Sequence, residues 1–347
     1  MLHRRIVSVL ALAGGAFFGC SSEPSGATSS DAPPGGNDAG RLDAASPVTS
    51  DASARDAASA KDDSGAGLEA GAGDAKLDAT KPPFTCTGDG SFPLTLAIPE
   101  ASAATEVELS AGVRELFVVA DSGHTGEALL VALPSKTTRS LTLPLDTTAS
   151  DDLEGAAWRD GHLYTLTSSG AVRRFSPNGT GGLTRDQNAY ALGASPYACA
   201  DLMGVNCGKD YEGLCLRATR GTHACDGYAA SKKEAKLYCV KLDAAGVMSV
   251  DSAVTPIPLT LGADVLSDCA FGAGGGPGDD VLVVTTNVGN LNRSYRVDEA
   301  TGALTQLPIG VLPNLEAIAI DKDGALYVFD DHQSAPSGSL RATCVGW

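Results

Sequence analysis

Short runs in which apolar and polar positions alternate recur through the last three quarters of the chain. Leu153–Trp158 leads through Arg159–Asp160–Gly161 into His162–Thr167, two alternating runs around a tight turn. Leu315–Ile320, Asp321–Gly324 and Ala325–Asp330 repeat the arrangement. Asp210–Leu216 and Leu266–Phe271 open two further copies, and Thr105–Leu109 before Glu115–Ala120 opens a weaker fifth. A two-residue period marks a half-buried strand, and Asp or Gly between two such runs marks a hairpin. Further strands follow where a third and fourth belong: Ala171–Phe175, Lys236–Leu242, Asn292–Val297 and Ala303–Leu307.

Each copy opens on an acid. Glu106, Glu154, Glu212, Asp268 and Glu316 stand 48, 58, 56 and 48 residues apart. A repeat of this length made of short strands predicts an all-β fold, a β-propeller of four-stranded blades. Five openers predict five blades, and six if Leu183–Lys209 adds one. A sandwich or solenoid is the competing arrangement, and the evenly spaced openers weigh against it. The last blade runs out at Leu340–Trp347, so a strand from the start of the domain, Phe92–Ile98, is expected to close the ring and bring Cys86 beside Cys344.

The first eighty residues carry no such pattern. Met1–Arg5 is basic, Ile6–Leu12 is apolar, and small residues lead to Cys20, which together read as an export signal. Phe17–Phe18–Gly19–Cys20 resembles the bacterial lipobox, with Phe where Leu is commonest. The resemblance implies lipidation of Cys20 and anchoring to the outer membrane, on its periplasmic or cell-surface side, favoured by Ser21 after the cysteine. Residues 21–83 hold no aromatic side chain and eleven acids against five bases. They read as a tether, too poor in apolar surface to offset the entropy of ordering. The organisation is therefore 1–20 signal, 21–83 linker and 84–347 propeller.

Charge and cysteines narrow the partners. Lys and Arg total 25 against 42 Asp and Glu, a net charge of −17, which excludes nucleic acid as an expected partner. Nine cysteines less Cys20 leave eight, an even set that reads as up to four disulfides in an oxidising compartment. No CxxC pair suggests zinc or redox chemistry. A monomer is expected.

In a propeller the first strand of each blade lines the axis, and the loop after the second strand returns to the mouth where the first begins. The openers should therefore ring one mouth with Asp121, Ser168, Asn287, Asp330 and Asp331, and with His124 and His332 in the same loops. Crowded carboxylates either rise in pKa or take up a cation, and hard oxygen donors suit Ca²⁺. The competing role for each opener is structural, accepting backbone N–H bonds from the neighbouring blade. His162 reads as a surface residue of a tight turn, and His223 as structural.

Leu153–Glu154–Gly155 and Tyr211–Glu212–Gly213, each before a Leu-Tyr strand, resemble the openers of gluconolactonase- and regucalcin-type propellers. They are also similar to phytase-like and SdiA-regulated propeller domains. The resemblance implies a metal held by a mouth Glu, Asn and Asp, matched here by Glu154, Glu316, Asp268 and Asn287; Glu212 and Glu106 complete the candidate set. The chain has no Gly-x-Ser-x-Gly elbow, His-Glu-x-x-His or Walker loop, and Gly272–Gly278 lacks the Lys-Ser/Thr and helix of a phosphate loop. The sequence thus favours a non-catalytic binding protein for a protein, glycan or small molecule. A Ca²⁺-dependent hydrolase of phosphoesters or lactones is the alternative.

Overall fold

The computed structural model describes residues 85–93, 95–218, 223–273, 280–287, 292–310, 312–332 and 336–345. Cys20, residues 21–83 expected as a tether, and most of the Gly272–Gly278 segment lie outside the described residues.

Regular structure among the described residues is entirely strand. Two short strands come first, β1 (Thr85–Gly88) and β2 (Thr95–Leu96). Blade one is β3 (Ala101–Ser110), β4 (Val113–Ala120), β5 (Glu127–Leu133) and β6 (Thr138–Thr142). Blade two is β7 (Leu153–Arg159), β8 (His162–Thr167), β9 (Ala171–Pro177) and β10 (Leu183–Arg185), with β11 (Tyr190–Ala191) also on β9. Blade three is β12 (Tyr211–Leu216), β13 (Gly227–Ser231), β14 (Lys236–Leu242) and β15 (Met248–Val250), with β16 (Ile257–Pro258) also on β14. Blade four is β17 (Val265–Ala273), β18 (Asp280–Asn287), β19 (Arg293–Val297) and β20 (Leu304–Gln306). In blade five β21 (Leu315–Ile320), β22 (Ala325–Asp330) and β23 (Ser337–Val345) are joined by β1 as the outermost strand.

The innermost strands touch in the order β3, β7, β12, β17, β21 and back to β3. That closed cycle makes the five antiparallel sheets a ring, a five-bladed β-propeller. The core is divided accordingly into five apolar clusters, each filling one gap between neighbouring blades. Six blades do not form, because β10 and β11 both pair with β9 inside blade two.

Blade five takes strands from both ends of the described chain. Cys86 lies opposite Cys344 in the β1–β23 ladder, and the two are disulfide-bonded. The expected strand at Phe92–Ile98 is reduced to Thr95–Leu96, which also pairs with β23, while Phe92, Leu96 and Ile98 are buried between blades five and one. Three further disulfides join Cys199 to Cys207, Cys215 to Cys269 and Cys225 to Cys239. All eight expected cysteines are thereby paired, as befits an oxidising, extracellular or periplasmic compartment. No described helix is long and apolar enough to cross a membrane.

An acidic mouth of the channel as candidate functional site

Every innermost strand is bulged near its start. The ladder with the second strand skips Ser102, Glu154, Glu212, Ser267 and Glu316, one residue in each blade. A bulge re-aims the extra side chain. Here it turns one side chain per blade toward the channel mouth. Two residues earlier stand Glu100, Asp152, Asp210 and Asn314, and Glu100, Asp210 and Asn314 hold left-handed backbone (φ 44°, 54° and 52°). Such backbone is strained for residues other than Gly, though Asn and Asp tolerate it best. One residue beyond each second-strand partner stand Asp121, Ser168, Lys232, Asn287 and Asp331.

These three tiers form one electrostatic unit. Asp121, Asp152 and Glu154 bring carboxylate oxygens within 4.8 Å of one another, from blades one and two. Glu154 accepts the Ser102 hydroxyl at 2.6 Å, and its carboxyl is pushed well above the ordinary range by burial and then by Glu212, Asp121 and Asp152. Burial also raises Asp121 and Asp152; Asp152 accepts a hydrogen bond from Ser168, whose oxygen in turn accepts the Asn206 amide. Glu212 is raised to about 8, chiefly by burial, although Lys232 donates to one of its oxygens at 3.0 Å. Its other oxygen is buried without a partner, as is one oxygen each of Asp210 and Asp331. Glu316, raised to about 7 by burial, accepts from Asn287. Asn287 continues to Asn314, which donates to Asp331 at 2.9 Å.

The expected channel-face residues gather here. His124 Nε2 is 2.7 Å from Glu100, and the Glu100 amide donates to the His332 carbonyl, so one acid links both histidines. Asp331 lies in the mouth; Asp330, at the end of β22, instead accepts the Gly338 amide within its own blade. Of the six candidate ligands, Glu154, Glu212, Glu316 and Asn287 stand in the mouth.

Glu106 and Asp268 do not. Glu106 sits at the far end of the channel, paired with Arg114 and accepting the Lys322 amide at 2.7 Å. It lies several residues beyond the bulge of its strand, whose true counterpart of Glu154 is Ser102. Asp268 follows its bulge, so it faces the neighbouring blade and accepts the Cys269 and Ile318 amides at 2.7 and 2.9 Å. Both acids accept a backbone amide of a neighbouring blade, and Asp268 also feels the charge of Glu316 and Glu212. Of the two other described histidines, His162 faces Ser176 and Asp186 at the edge of blade two, and His223 is exposed.

Sequence reading missed Lys232, Asp152, Asp210 and Glu100 as members of the mouth. The signal for Lys232 is its place one residue past the second strand, in register with Asp121 and Asn287. The far end of the channel is a different environment. It opens into a cavity of about 270 Å³ lined by small residues of the inner strands together with Glu106, Trp158, Phe271, Ile320 and Lys322.

Fold and site together define a five-bladed propeller with an acidic channel mouth. In structure the chain is similar to Myxococcus xanthus glutaminyl cyclase, at 14% identity over 76% of this chain and 98% of that one, with a TM-score of 0.46. It is similar also to Staphylococcus aureus virginiamycin B lyase (13% identity, 69% of this chain and 64% of that one, TM-score 0.33). An auxiliary nutrient binding protein from Bacteroides thetaiotaomicron is a further neighbour (12%, 66% and 56%, TM-score 0.37). No protein-family model matches the chain, and no curated protein matches it in sequence.

Proposed function

We propose that this is an exported binding propeller, anchored through lipidated Cys20, whose acidic mouth holds a Ca²⁺-class cation and presents it to a ligand. The observation that carries the reading is the meeting of Asp121, Asp152 and Glu154 within 4.8 Å, with Glu154 buried. Three carboxylates at this spacing repel, and a hard cation relieves both the repulsion and the burial of charge. An all-oxygen donor set from two blades suits the irregular coordination that Ca²⁺ accepts. The unpartnered buried oxygen of Glu212 points the same way.

Binding is favoured over nucleophilic catalysis by the wiring of the mouth. Ser168 donates to Asp152 and His124 pairs with Glu100, so neither supplies a serine activated by a histidine. A second reading, a Ca²⁺-dependent hydrolase of phosphoesters or lactones, draws support from Glu212 and Glu316, whose carboxyls at about 8 and about 7 are poised for general acid or base work near neutrality.

Thermal unfolding with Ca²⁺ and with chelator tests the metal. Ca²⁺ should raise the midpoint by several degrees, and Glu154→Gln or Asp152→Asn should abolish the rise. An unchanged midpoint, with no Ca²⁺ uptake by calorimetry, overturns it. On the same samples, turnover of 4-nitrophenyl phosphate or δ-gluconolactone that is lost in Glu212→Gln would replace the binding reading with the hydrolase.

A further inference from the structure

Beside the mouth stands a loop that the acids do not explain. Cys199 and Cys207 close it with a disulfide, and hydrogen bonds fasten it to the serines around Asp152. The Cys199 amide donates to the Ser169 carbonyl at 2.9 Å, the Ser150 amide to the Leu202 carbonyl at 3.0 Å, and the Asn206 amide to Ser168 Oγ at 2.9 Å. The tip thus held carries Met203 and Val205, 53% and 50% exposed. They are two of the four large apolar side chains that stand most open to solvent among the described residues. Isolated exposed apolar residues are ordinary. Two on one cross-linked loop, against a ring of buried carboxylates, are not placed there by packing.

We infer that the Cys199–Cys207 loop and the acidic mouth together form a docking surface for a polypeptide segment carrying Arg or Lys beside aliphatic residues. The inference rests on the binding reading above but not on the metal. Charge complementarity selects the occupant. Glu100, Asp121, Asp152, Glu154, Asp210, Glu212, Glu316 and Asp331 crowd the mouth, against Lys232 and the neighbouring Lys233. A guanidinium or ammonium on a long stem complements Asp210 and Asp331, each of which has one oxygen that no neighbour satisfies. Aliphatic neighbours in the same segment cover Met203 and Val205, and the thioether of Met203 adapts to their shape. A loop already fixed by a disulfide loses little freedom on binding. The same charge repels anionic lipid, and a neutral glycan brings no cation to the buried carboxylates.

The test is fluorescence anisotropy of the full chain with a labelled peptide, Gly-Ser-Leu-Arg-Leu-Gly-Ser, read beside the Ca²⁺-induced rise in unfolding midpoint. The peptide should bind, and replacing its Arg by Gln, or both Leu by Ser, should weaken it about tenfold or more. M203S/V205S should weaken it similarly while leaving the Ca²⁺ response intact, which also shows that the variant is folded. The inference is overturned by no peptide binding, by equal binding of the Gln peptide, or by full affinity in M203S/V205S. Capture of neutral oligosaccharide or anionic vesicles that depends on Met203 and Val205 overturns it too. Peptide binding without a Ca²⁺ response sinks the metal reading alone, and a Ca²⁺ response without peptide binding sinks this one alone.

Discussion

Glu154 and Gly155 show how one dipeptide serves two ends. The bulge sends Glu154 to the mouth, and the glycine lets the next blade close in: a Cβ on Gly155 would lie 2.6 Å from the Leu214 amide nitrogen. Gly213 repeats this, its missing Cβ making room for Asp268, whose Oδ1 would stand 2.5 Å away and its Cα 2.8 Å. Asp268 is wedged there because it accepts the Cys269 amide of its own strand and the Ile318 amide across the blade boundary. Gly213→Ala must therefore push two inner strands apart. It should cost about 1–3 kcal/mol in urea unfolding, the usual price of overpacking, and an unchanged midpoint would show that the strands are not so tightly apposed. Leu-Glu-Gly and Tyr-Glu-Gly thus mark the bulged position of their strands. Asp268, one residue after the bulge at Ser267, has the opposite orientation.

At the scale of the strand, a single skipped residue decides which acids meet. Alternation along β3 makes Glu106 look like an opener, yet the bulge at Ser102 sets the register, and Glu106 ends at the far rim with Arg114. A one-residue shift reverses every side chain of a strand, so periodicity without register leaves the facing residue open. The outer strand of blade five raises the corresponding issue at long range. Cys86 and Cys344 are 258 residues apart in sequence, and their bond joins β1 to β23. A cross-link over so long a loop strongly restricts the unfolded chain. C86A/C344A should lose about 2–5 kcal/mol, or roughly 2–4 °C of midpoint per kcal/mol in a domain of this size. Thermal scans of the oxidised protein and the double variant check this. Equal midpoints would mean that the ladder alone holds the blade together.

At the scale of the whole molecule, the raised carboxyls of the mouth predict a stability that depends on pH. Glu212 and Glu316 are raised in the folded state to about 8 and about 7, and Glu154, Asp121 and Asp152 are raised as well, burial being the leading cause for each. A carboxyl whose folded value exceeds its unfolded value near 4.5 adds stability that is fully present below that value. The contribution is lost as pH climbs through the folded value. Calcium-free protein should therefore unfold at progressively lower temperature as pH rises from about 5 to 8. Added Ca²⁺ should recover more of the midpoint at pH 8 than at pH 5, since the cation competes with protons for the same oxygens. A chelated sample whose midpoint stays flat or rises across that interval would show that the carboxylates are not strained together as the geometry requires.

Alternation, turn residues and spaced acids were local facts, and they carried the fold class, the five repeats and the even set of cysteines. A repeated motif makes visible in the sequence the one bulged position that Glu154, Glu212 and Glu316 share, and Asn287 stands at the end of a second strand. Lys232, Asp152 and Asp210 became members of the mouth only in three dimensions. Glu106 and Asp268 left it for the same reason. Ring closure brings residues of distant blades to one axis, and the bulge in each inner strand chooses which side chains face that axis. The face that each bulge selects leaves no mark in composition or period, because it is set by how paired strands register in three dimensions.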